Sequence, residues 1–419
     1  MGTWRLRTFA IAGFVAVSCG SIHGVATSPS TASASSSAPV VTAFPVPTIY
    51  PVPATASGTR LQSPCPADRP APQFQPSAPS SRNLALVTLR GSNSIIVRDI
   101  TDIAHPTTAG TLGPIPALVG YGPSLEGALG QFASATELSY LGGPTDDYYG
   151  LPTSLFRMSL SGPSPTTVVK GCQGVVVFAW NPTGVFVVYL TSSDTGITVR
   201  QLTAGRDRVL ASLPTLPVGG CEVAPCPGPF QNPADKWDFR LSYSPDGAFI
   251  SVVQSGISSF LRVWSSDGNL LSSSDGQGTN MSVWSGANLY FRDSKGVEVW
   301  RDGVISTFLP GIAWIRPKAS PGGGQIVYEA RDAKGSANVF LVDTATGKIR
   351  DLGTGRAEPA FLTSRYVWYQ AEPVCVAAGT CEPSFPGIAS GKTYIYDLQD
   401  GTETESIITG VYDVWPHAA

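Results

Sequence analysis

One stretch, residues 238–274, limits what this chain can fold into. It holds four short apolar runs, at 239–243, 248–253, 260–264 and 270–273. Short runs that are rich in β-branched and aromatic residues, and bounded by Pro, Gly, Asp and Asn, are typical of β-strands joined by tight turns. The first turn reads Ser-Pro-Asp-Gly, where proline presets φ and glycine accepts the positive φ that closes the turn. The stretch therefore predicts one four-stranded antiparallel sheet.

This unit recurs along the chain, which matters because a single four-stranded sheet leaves both of its faces uncovered. Residues 175–213, 280–309, 312–352 and 360–408 repeat the same order of apolar runs and turns. The first turns recur with a period of about forty residues, which matches the blades of a β-propeller better than a solenoid or a βαβ repeat. The sequence therefore predicts an all-β fold, a β-propeller.

The two ends of the repeat region complement each other. Residues 83–113 supply three strands without a first strand, and residues 411–416 at the far end supply one strand. Pairing them closes the ring and removes exposed sheet edges. The predicted blade count is seven, with six or eight left open because the second unit is the least regular. The predicted blades are 83–113 with 410–416, 117–170, 174–213, 238–274, 280–309, 312–353 and 357–409.

Several motifs in this region carry a resemblance to known repeats. They are the turns at 244–247 and 181–184, the aromatic residues Trp180, Tyr243 and Trp314 assigned to the position before the first turn, and Asp-Thr-Ala-Thr-Gly at 343–347. On these motifs, most of the region from residue 83 onward resembles the WD-like or TolB-type propeller repeat family. The resemblance implies a propeller fold and says almost nothing about function. The Gly-His signature of the eukaryotic WD branch is absent from the sequence, so the partner rules of that branch do not carry over.

The N-terminus has the form of a secretory signal, residues 1–18. Basic residues precede an apolar run at 8–17, which is too short to span a membrane as a helix. The run ends in Val-Ala-Val-Ser-Cys, which resembles a bacterial lipoprotein processing box, although Ala16 stands where leucine is commonest. This resemblance implies that Cys19 becomes the lipid-modified first residue. The alternative is ordinary signal cleavage nearby, with Cys19 discarded.

The next segment, residues 19–82, is expected to be a disordered tether. Residues 20–59 contain no charged side chain and are dominated by Ser, Thr, Ala, Pro and Val, a composition that cannot bury a core. The globular part is then residues 83–419, a single propeller. The expected location is outside the cytoplasm, as an outward-facing membrane lipoprotein, or secreted or periplasmic if no lipid is attached.

The cysteine count agrees with export. An even number of cysteines besides Cys19 behind a secretion signal indicates disulfides in an oxidising compartment. The preferred disulfides join Cys221 to Cys226 and Cys375 to Cys381, which leaves Cys65 to pair with Cys172. Six cysteines allow fifteen connectivities, so the other pairings stay open. Zinc is the competing interpretation; it is disfavoured because the spacings are not Cys-x2-Cys and no histidine lies near. The six are Cys65, Cys172, Cys221, Cys226, Cys375 and Cys381.

Charge and motifs exclude some functions and leave others open. A formal net charge of −3, with 14% charged residues, gives no basic footprint for nucleic acid. Only three histidines occur, none in a context that fits a Ser-His-Asp or Cys-His site, and Gly-x-Ser-x-Gly is absent. No reaction, cofactor or metal is predicted, and whether the chain is an enzyme stays open because paired carboxylates for glycan cleavage meet only in three dimensions. Residues 145–149 could supply oxygen ligands to calcium or form a solvated loop.

Three long segments suggest where binding occurs. In an up-and-down blade, the loop joining the second and third strands shares a face with the loop joining one blade to the next. Residues 141–153, 214–236 and 372–391, here called the recognition rim, fall at such positions. Loops on a rigid scaffold often carry function, although these could simply cap the ring. The residues predicted to bind are Asp146, Asp147, Tyr148, Tyr149, Phe230, Trp237 and Phe385.

The resulting functional hypothesis is a monomeric, extracytoplasmic binding module. It would recognise an envelope protein, peptide or glycan through the recognition rim and would touch the membrane through its lipid anchor only. The two alternatives are a glycan-active propeller enzyme that uses Asp or Glu, and a purely structural envelope protein.

Overall fold

Seven antiparallel sheets of four strands make up the fold, and they are arranged as a ring. They lie within one compact unit, Leu61–Ala419. No described residue belongs to a helix long and apolar enough to cross a membrane. The computed structural model of the protein describes residues 73–74, 81–88, 95–112, 130–142, 154–162, 164–170, 175–193, 196–203, 205–213, 239–254, 259–275, 280–332, 335–371 and 392–416.

Within each blade the strands follow one another in chain order, except that blade 1 takes its innermost strand from the C-terminus. Blades 1 to 4 have the following strands: β1 Leu84–Thr88, β2 Ile95–Asp99, β3 Thr107–Leu112; β4 Gln131–Ser134, β5 Glu137–Gly142, β6 Ser154–Ser159, β7 Thr166–Val169; β8 Val175–Trp180, β9 Val187–Ser193, β10 Gly196–Thr203, β11 Arg206–Leu213; β12 Phe239–Tyr243, β13 Phe249–Gln254, β14 Phe260–Ser265, β15 Leu270–Asp275.

The remaining three blades and the closing strand complete the ring, so the prediction of a seven-bladed β-propeller is confirmed. Their strands are β16 Asn280–Ser285, β17 Asn288–Asp293, β18 Gly296–Arg301, β19 Val304–Pro310; β20 Ile315–Ala319, β21 Gln325–Arg331, β22 Ala337–Asp343, β23 Ile349–Thr354; β24 Arg356–Phe361, β25 Tyr366–Ala371, β26 Thr393–Asp397, β27 Glu403–Ser406; and β28 Asp413–Trp415.

The first turn of each blade defines one end of the ring, here called the turn face. In blade 4 the Gly247 amide donates to the Ser244 carbonyl at 2.8 Å, and Gly247 has φ of +72°. Gly184 of blade 3 repeats this arrangement with φ of +69°. Both glycines occupy the left-handed region, which residues with a Cβ rarely adopt. The opposite end, where second strands lead to third strands and blades lead to the next blade, is the loop face.

Closure of the ring depends on the short strand β28. Trp415, Val414 and Asp413 pair with Leu84, Ala85 and Leu86 of β1, respectively. The Asp413 carboxylate also accepts a hydrogen bond of 2.7 Å from the Phe132 amide in blade 2. The C-terminal strand therefore joins both its own blade and the neighbouring one, and the predicted pairing of the two chain ends is confirmed.

Tryptophan side chains link successive blades. The indole nitrogens of Trp180 and Trp284 donate to the hydroxyls of Ser139 and Ser251 in the preceding blades, at 2.8 and 3.0 Å. Both rings are at most 5% exposed, so each combines a large buried apolar area with a satisfied polar atom. These tryptophans therefore belong to the core between neighbouring blades.

The position assigned to Trp314 from the sequence is wrong. Trp180 and Tyr243 end their innermost strands directly before the first turn, as predicted, but Trp314 precedes β20. Ala319 occupies the position before the turn in that blade, and Trp314 lies five residues earlier in the chain. Trp314 is fully buried at the other end of this strand and donates to the Met281 carbonyl of blade 5 at 3.0 Å.

The segment before the first strand contacts the ring through Phe74. Its ring packs edge-on against Trp180, with the ring centroids 5.1 Å apart. The guanidinium of Arg157, which is 3% exposed, lies over both rings at 4.5 and 4.6 Å and donates to the Gly184 carbonyl at 2.6 Å. Since Gly184 belongs to a first turn, Phe74 lies near the turn face. Strand β1 also begins at that face, so the chain enters the ring there.

Replacing Asp413 tests how much the closing strand stabilises the ring. Asp413→Ala is expected to reduce the free energy of unfolding by about 1–3 kcal/mol, because it leaves the buried Phe132 amide without its acceptor. Asp413→Asn keeps an acceptor oxygen and is expected to cost less. Urea unfolding of the full chain, followed by tryptophan fluorescence, measures both effects. Two variants as stable as the unmodified chain would show that this bond contributes nothing to closure.

Candidate functional site

The residues predicted from the sequence to bind a partner lie outside the described residues. This holds for Asp146, Asp147, Tyr148, Tyr149, Phe230, Trp237 and Phe385, and for all seven cysteines, including Cys19. Their predicted roles stay predictions. What the structure describes is the set of strand ends that the three segments of the recognition rim connect.

These strand ends lie on one face of the ring. Gly142, the last residue of β5, pairs with Ser154, the first residue of β6. Gln370 near the end of β25 likewise pairs with Thr393 at the start of β26. The third segment connects the end of β11 with the start of β12, that is, blade 3 with blade 4. All three segments therefore leave and rejoin the ring at the loop face.

A second feature is a cavity of about 310 Å³ in the central channel. Its walls come from the innermost strands of all seven blades, or from residues directly beside them, and it extends to the turn face. Its volume lies at the lower end of small-molecule sites, which measure roughly 300–1,000 Å³. The lining residues used below are Gln131, Trp180, Pro182, Arg240, Ser242, Tyr243, Pro245, Val283, Trp284, Pro317, Lys318, Pro321, Ala360, Phe361, Asp413, Val414 and Pro416.

Prolines and aromatic rings form the turn-face end of the cavity. Pro182, Pro245 and Pro321 come from first turns of three blades, and Pro416 follows the closing strand. The edges of Trp180, Tyr243, Trp284 and Phe361 line the wall next to these prolines. Burial raises the pKa of Tyr243 to about 12, against the smaller opposing effect of a hydrogen bond from the Gln201 amide at 2.9 Å. The phenol is therefore neutral near pH 7, and this end of the cavity is mainly apolar.

The charged groups in the cavity wall are Arg240, Lys318 and Asp413. Arg240 Nη2 lies 3.6 Å from the sulfur of Met281, a weak acceptor. Asp413 accepts the hydrogen bond from the Phe132 amide described above. Lys318 is half-buried, and no described group forms a hydrogen bond or ion pair with its ammonium. Two cations and one carboxylate give the wall a net positive charge.

A repeated backbone irregularity shapes the innermost strands of blades 5 to 7. Met281, Arg316 and Glu358 have φ of 43°, 49° and 55°, in the left-handed region. Each lies at a β-bulge, where the register with the second strand shifts. Arg316 and Glu358 each lie three residues before the end of their strands, and Met281 lies four residues before the end of its strand. Such residues cost of order 1–3 kcal/mol of local strain, so the surrounding contacts must hold them in place.

Ion pairs between blades 6 and 7 help to hold these strained residues in place. Arg316 Nη1 lies 2.9 Å from Glu358 Oε1 and 3.6 Å from Glu329 Oε2. Arg331 Nη2 lies 3.2 Å from the other oxygen of Glu329. The Glu358 amide donates to Glu329 at 3.1 Å, so Glu329 satisfies the strained backbone directly. Two guanidiniums and two carboxylates form one neutral cluster, here called the collar cluster.

The collar cluster contains the kind of carboxylate pair that the enzymatic alternative requires. Glu329 and Glu358 are only 1% and 7% exposed, and both are engaged by Arg316. An acid and base for glycan cleavage must instead reach substrate and water. The geometry of this pair is that of a structural ion-pair network, which is costly to break because each charge is desolvated. Among the described residues, no group of three His, Cys, Asp or Glu side chains could hold a metal ion.

Comparisons with known proteins agree with the architecture. No protein-family model and no curated protein sequence matches the chain. Among solved structures, the β-propeller domain of the trilobed protease from Pyrococcus furiosus is 9% identical, covers 66% of this chain and 83% of that one, and has a TM-score of 0.46. TolB from Acinetobacter baumannii is 15% identical over 79% of this chain and 81% of that one, with a TM-score of 0.39. At these identities the likeness concerns the fold alone, which the strand order already defines.

Sequence inspection missed Arg316, Lys318 and Glu358. The available signal was Arg-Pro-Lys at 316–318 and Glu-Pro-Ala at 358–360, each just before a first turn. Proline cannot donate to a strand ladder and is confined to edge strands or bulges. Two prolines at matching positions of the innermost strands, each beside a charged residue, would have indicated bulges in these strands.

A double-mutant cycle tests the collar cluster. Glu358→Gln is expected to cost about 3 kcal/mol, at the low end for a buried pair, because Arg316 keeps a second carboxylate nearby. Arg316→Gln together with Glu358→Gln should cost less than the sum of the two single changes. Lys392→Gln, which breaks the exposed pair with Glu405, is the matched control and should leave stability nearly unchanged. Additive losses in urea unfolding would contradict coupling.

Proposed function

We propose that this chain is an exported binding module, a propeller held at a membrane by a lipid on Cys19 that recognises an envelope protein, peptide or glycan. The recognition rim makes the contact, and the ring serves as its rigid support. The observation that carries the proposal is that all three rim segments leave and rejoin the ring at the loop face. Long loops on one face of a rigid scaffold are a common place for recognition.

The position of the chain start supports the same assignment. The chain enters the ring at the turn face, beside the contact between Phe74 and Trp180. The strand ends that the recognition rim connects lie at the opposite face. The start of strand β1 and the recognition rim therefore use different ends of the ring.

A capture experiment tests the binding role. The full chain, solubilised in detergent, serves as bait for an envelope extract of the producing cell. One variant has residues 214–236 and 372–391 replaced by short Gly-Ser linkers, and a control variant has residues 344–348 of the turn face replaced in the same way. The native chain and the control are expected to capture the same partner, and the rim variant is expected to lose it.

Reconstitution with the purified partner makes the test quantitative. The rim variant should bind at least about tenfold more weakly than the control, since a lost anchor contact typically costs more than 1 kcal/mol. Equal binding by the rim variant would place the site elsewhere. Failure of the native chain to capture anything would favour the enzymatic or the purely structural alternative.

The lipid anchor has its own test. When the full chain is expressed in a bacterium fed with an alkyne-tagged fatty acid, the mature protein is expected to carry the tag and to sediment with membranes. Cys19→Ser should remove the tag and release the protein from the membrane fraction, because a thiol is the attachment point. A tagged Cys19→Ser protein, or an untagged native protein, would contradict lipid attachment at this residue.

A further inference from the structure

We propose that the central channel is a second binding site, separate from the recognition rim, that takes a small organic anion. Lys318 is its principal charged contact, and Arg240 lines the same cavity. The ligand class is a carboxylate or phosphate on a compact body of about the size of a benzene or sugar ring. The channel opens toward the turn face, so this site and the rim are independent.

The charge of the cavity wall is the first argument. Arg240 and Lys318 contribute two positive charges against the single carboxylate of Asp413, which already accepts a backbone hydrogen bond. A narrow channel with apolar walls focuses the field of such charges and raises the local concentration of an oppositely charged ligand. The chain as a whole has a formal charge of −3, so the positive channel is a local property and does not follow from overall composition.

The state of Lys318 is the second argument. The Lys318 side chain is half-buried in the cavity wall, and proteins usually place a carboxylate or a carbonyl beside a cation in such a position. In the described part of the chain nothing plays this role for Lys318, although the nearby Arg316 has two carboxylate partners. A ligand anion in the cavity would supply the missing counter-charge.

The position of Lys318 in the repeat is the third argument. The residue one place before the end of the innermost strand is Ser242 in blade 4, Trp284 in blade 5, Ala360 in blade 7 and Val414 in blade 1. All of these line the cavity and none of them is charged. The propeller fold itself therefore does not require a lysine at this position of the innermost strand. Arg316 and Pro317 form a bulge, because these two residues lie opposite a single residue of β21. The bulge sets the register with which Lys318 pairs with β21.

The remaining wall defines the rest of the ligand. Rings and prolines at the turn-face end offer apolar surface, while Gln131 and Ser242 add neutral hydrogen-bonding groups. A cavity of about 310 Å³ excludes a folded partner and fits a single small molecule. An anion with one apolar face matches the cation on one side of the cavity and the apolar surface toward the turn face.

Matched pairs of probes test this proposal on the full chain in detergent. Benzoate is compared with neutral benzamide, and glucuronate with glucose, by ligand-observed NMR titration. At least one anion is expected to bind saturably, and at least about tenfold more tightly than its neutral counterpart. Lys318→Met, which keeps the side-chain length and removes the charge, should weaken that anion about tenfold and abolish the preference. Lys318→Arg should retain it.

Two controls separate the channel from the rest of the protein. Lys348→Met removes an exposed lysine of a turn outside the cavity and should leave anion binding unchanged. The rim variant with replaced segments 214–236 and 372–391 should also bind the anion normally, so failure of the rim proposal and failure of the channel proposal are distinguishable. The channel proposal is overturned if anions and neutral probes bind alike, if Lys318→Met binds as the native chain does, or if neither anion binds saturably up to about 10 mM.

Discussion

Everything in this ring depends on one short pairing between its two ends. Three residues of β28 supply the innermost strand of blade 1, and their partners lie more than 300 residues earlier in the chain. Without that strand, β1 would expose an unpaired edge to the channel, and blades 1 and 2 would lose the bond from the Phe132 amide to Asp413. Each other blade can form from consecutive residues. Ring closure is the one step that requires the whole chain. The entropy that is lost in closing this long loop must therefore be offset by the few contacts that β28 makes.

The two ends of the channel differ in how the blades meet. Toward the turn face, first turns bring prolines and aromatic side chains together. Around Met281, Arg316 and Glu358, bulges and left-handed residues interrupt the register of the innermost strands, and the collar cluster ties blade 6 to blade 7 with buried charges. Buried ion pairs contribute little net stability but strongly penalise any arrangement that separates them. The cluster therefore fixes one relative position of these blades.

Local patterns predicted the fold well and the site poorly. Turns such as Ser244 to Gly247, the alternation of the strands and the incomplete first unit are each encoded in consecutive residues, so blade number and closure followed from reading along the chain. The channel wall, in contrast, draws two to five residues from every blade, and spacing alone does not show which side of a strand faces the centre. The bulge before Lys318 adds to the difficulty, because inserting extra residues into a strand changes which of its residues align with the neighbouring blades.

The placement of the chain start has a mechanical consequence. Strand β1 is flanked on both sides, by β2 and by β28, and the chain leaves it in the direction of the strand axis. Hydrogen bonds of an antiparallel ladder run perpendicular to the strands, so tension applied along β1 loads both ladders in shear and must break many bonds together. The contact between Phe74 and Trp180 lies between that tension and the ladder. A pull on the N-terminal segment would therefore peel one aromatic ring away first and spare the sheet until much higher force.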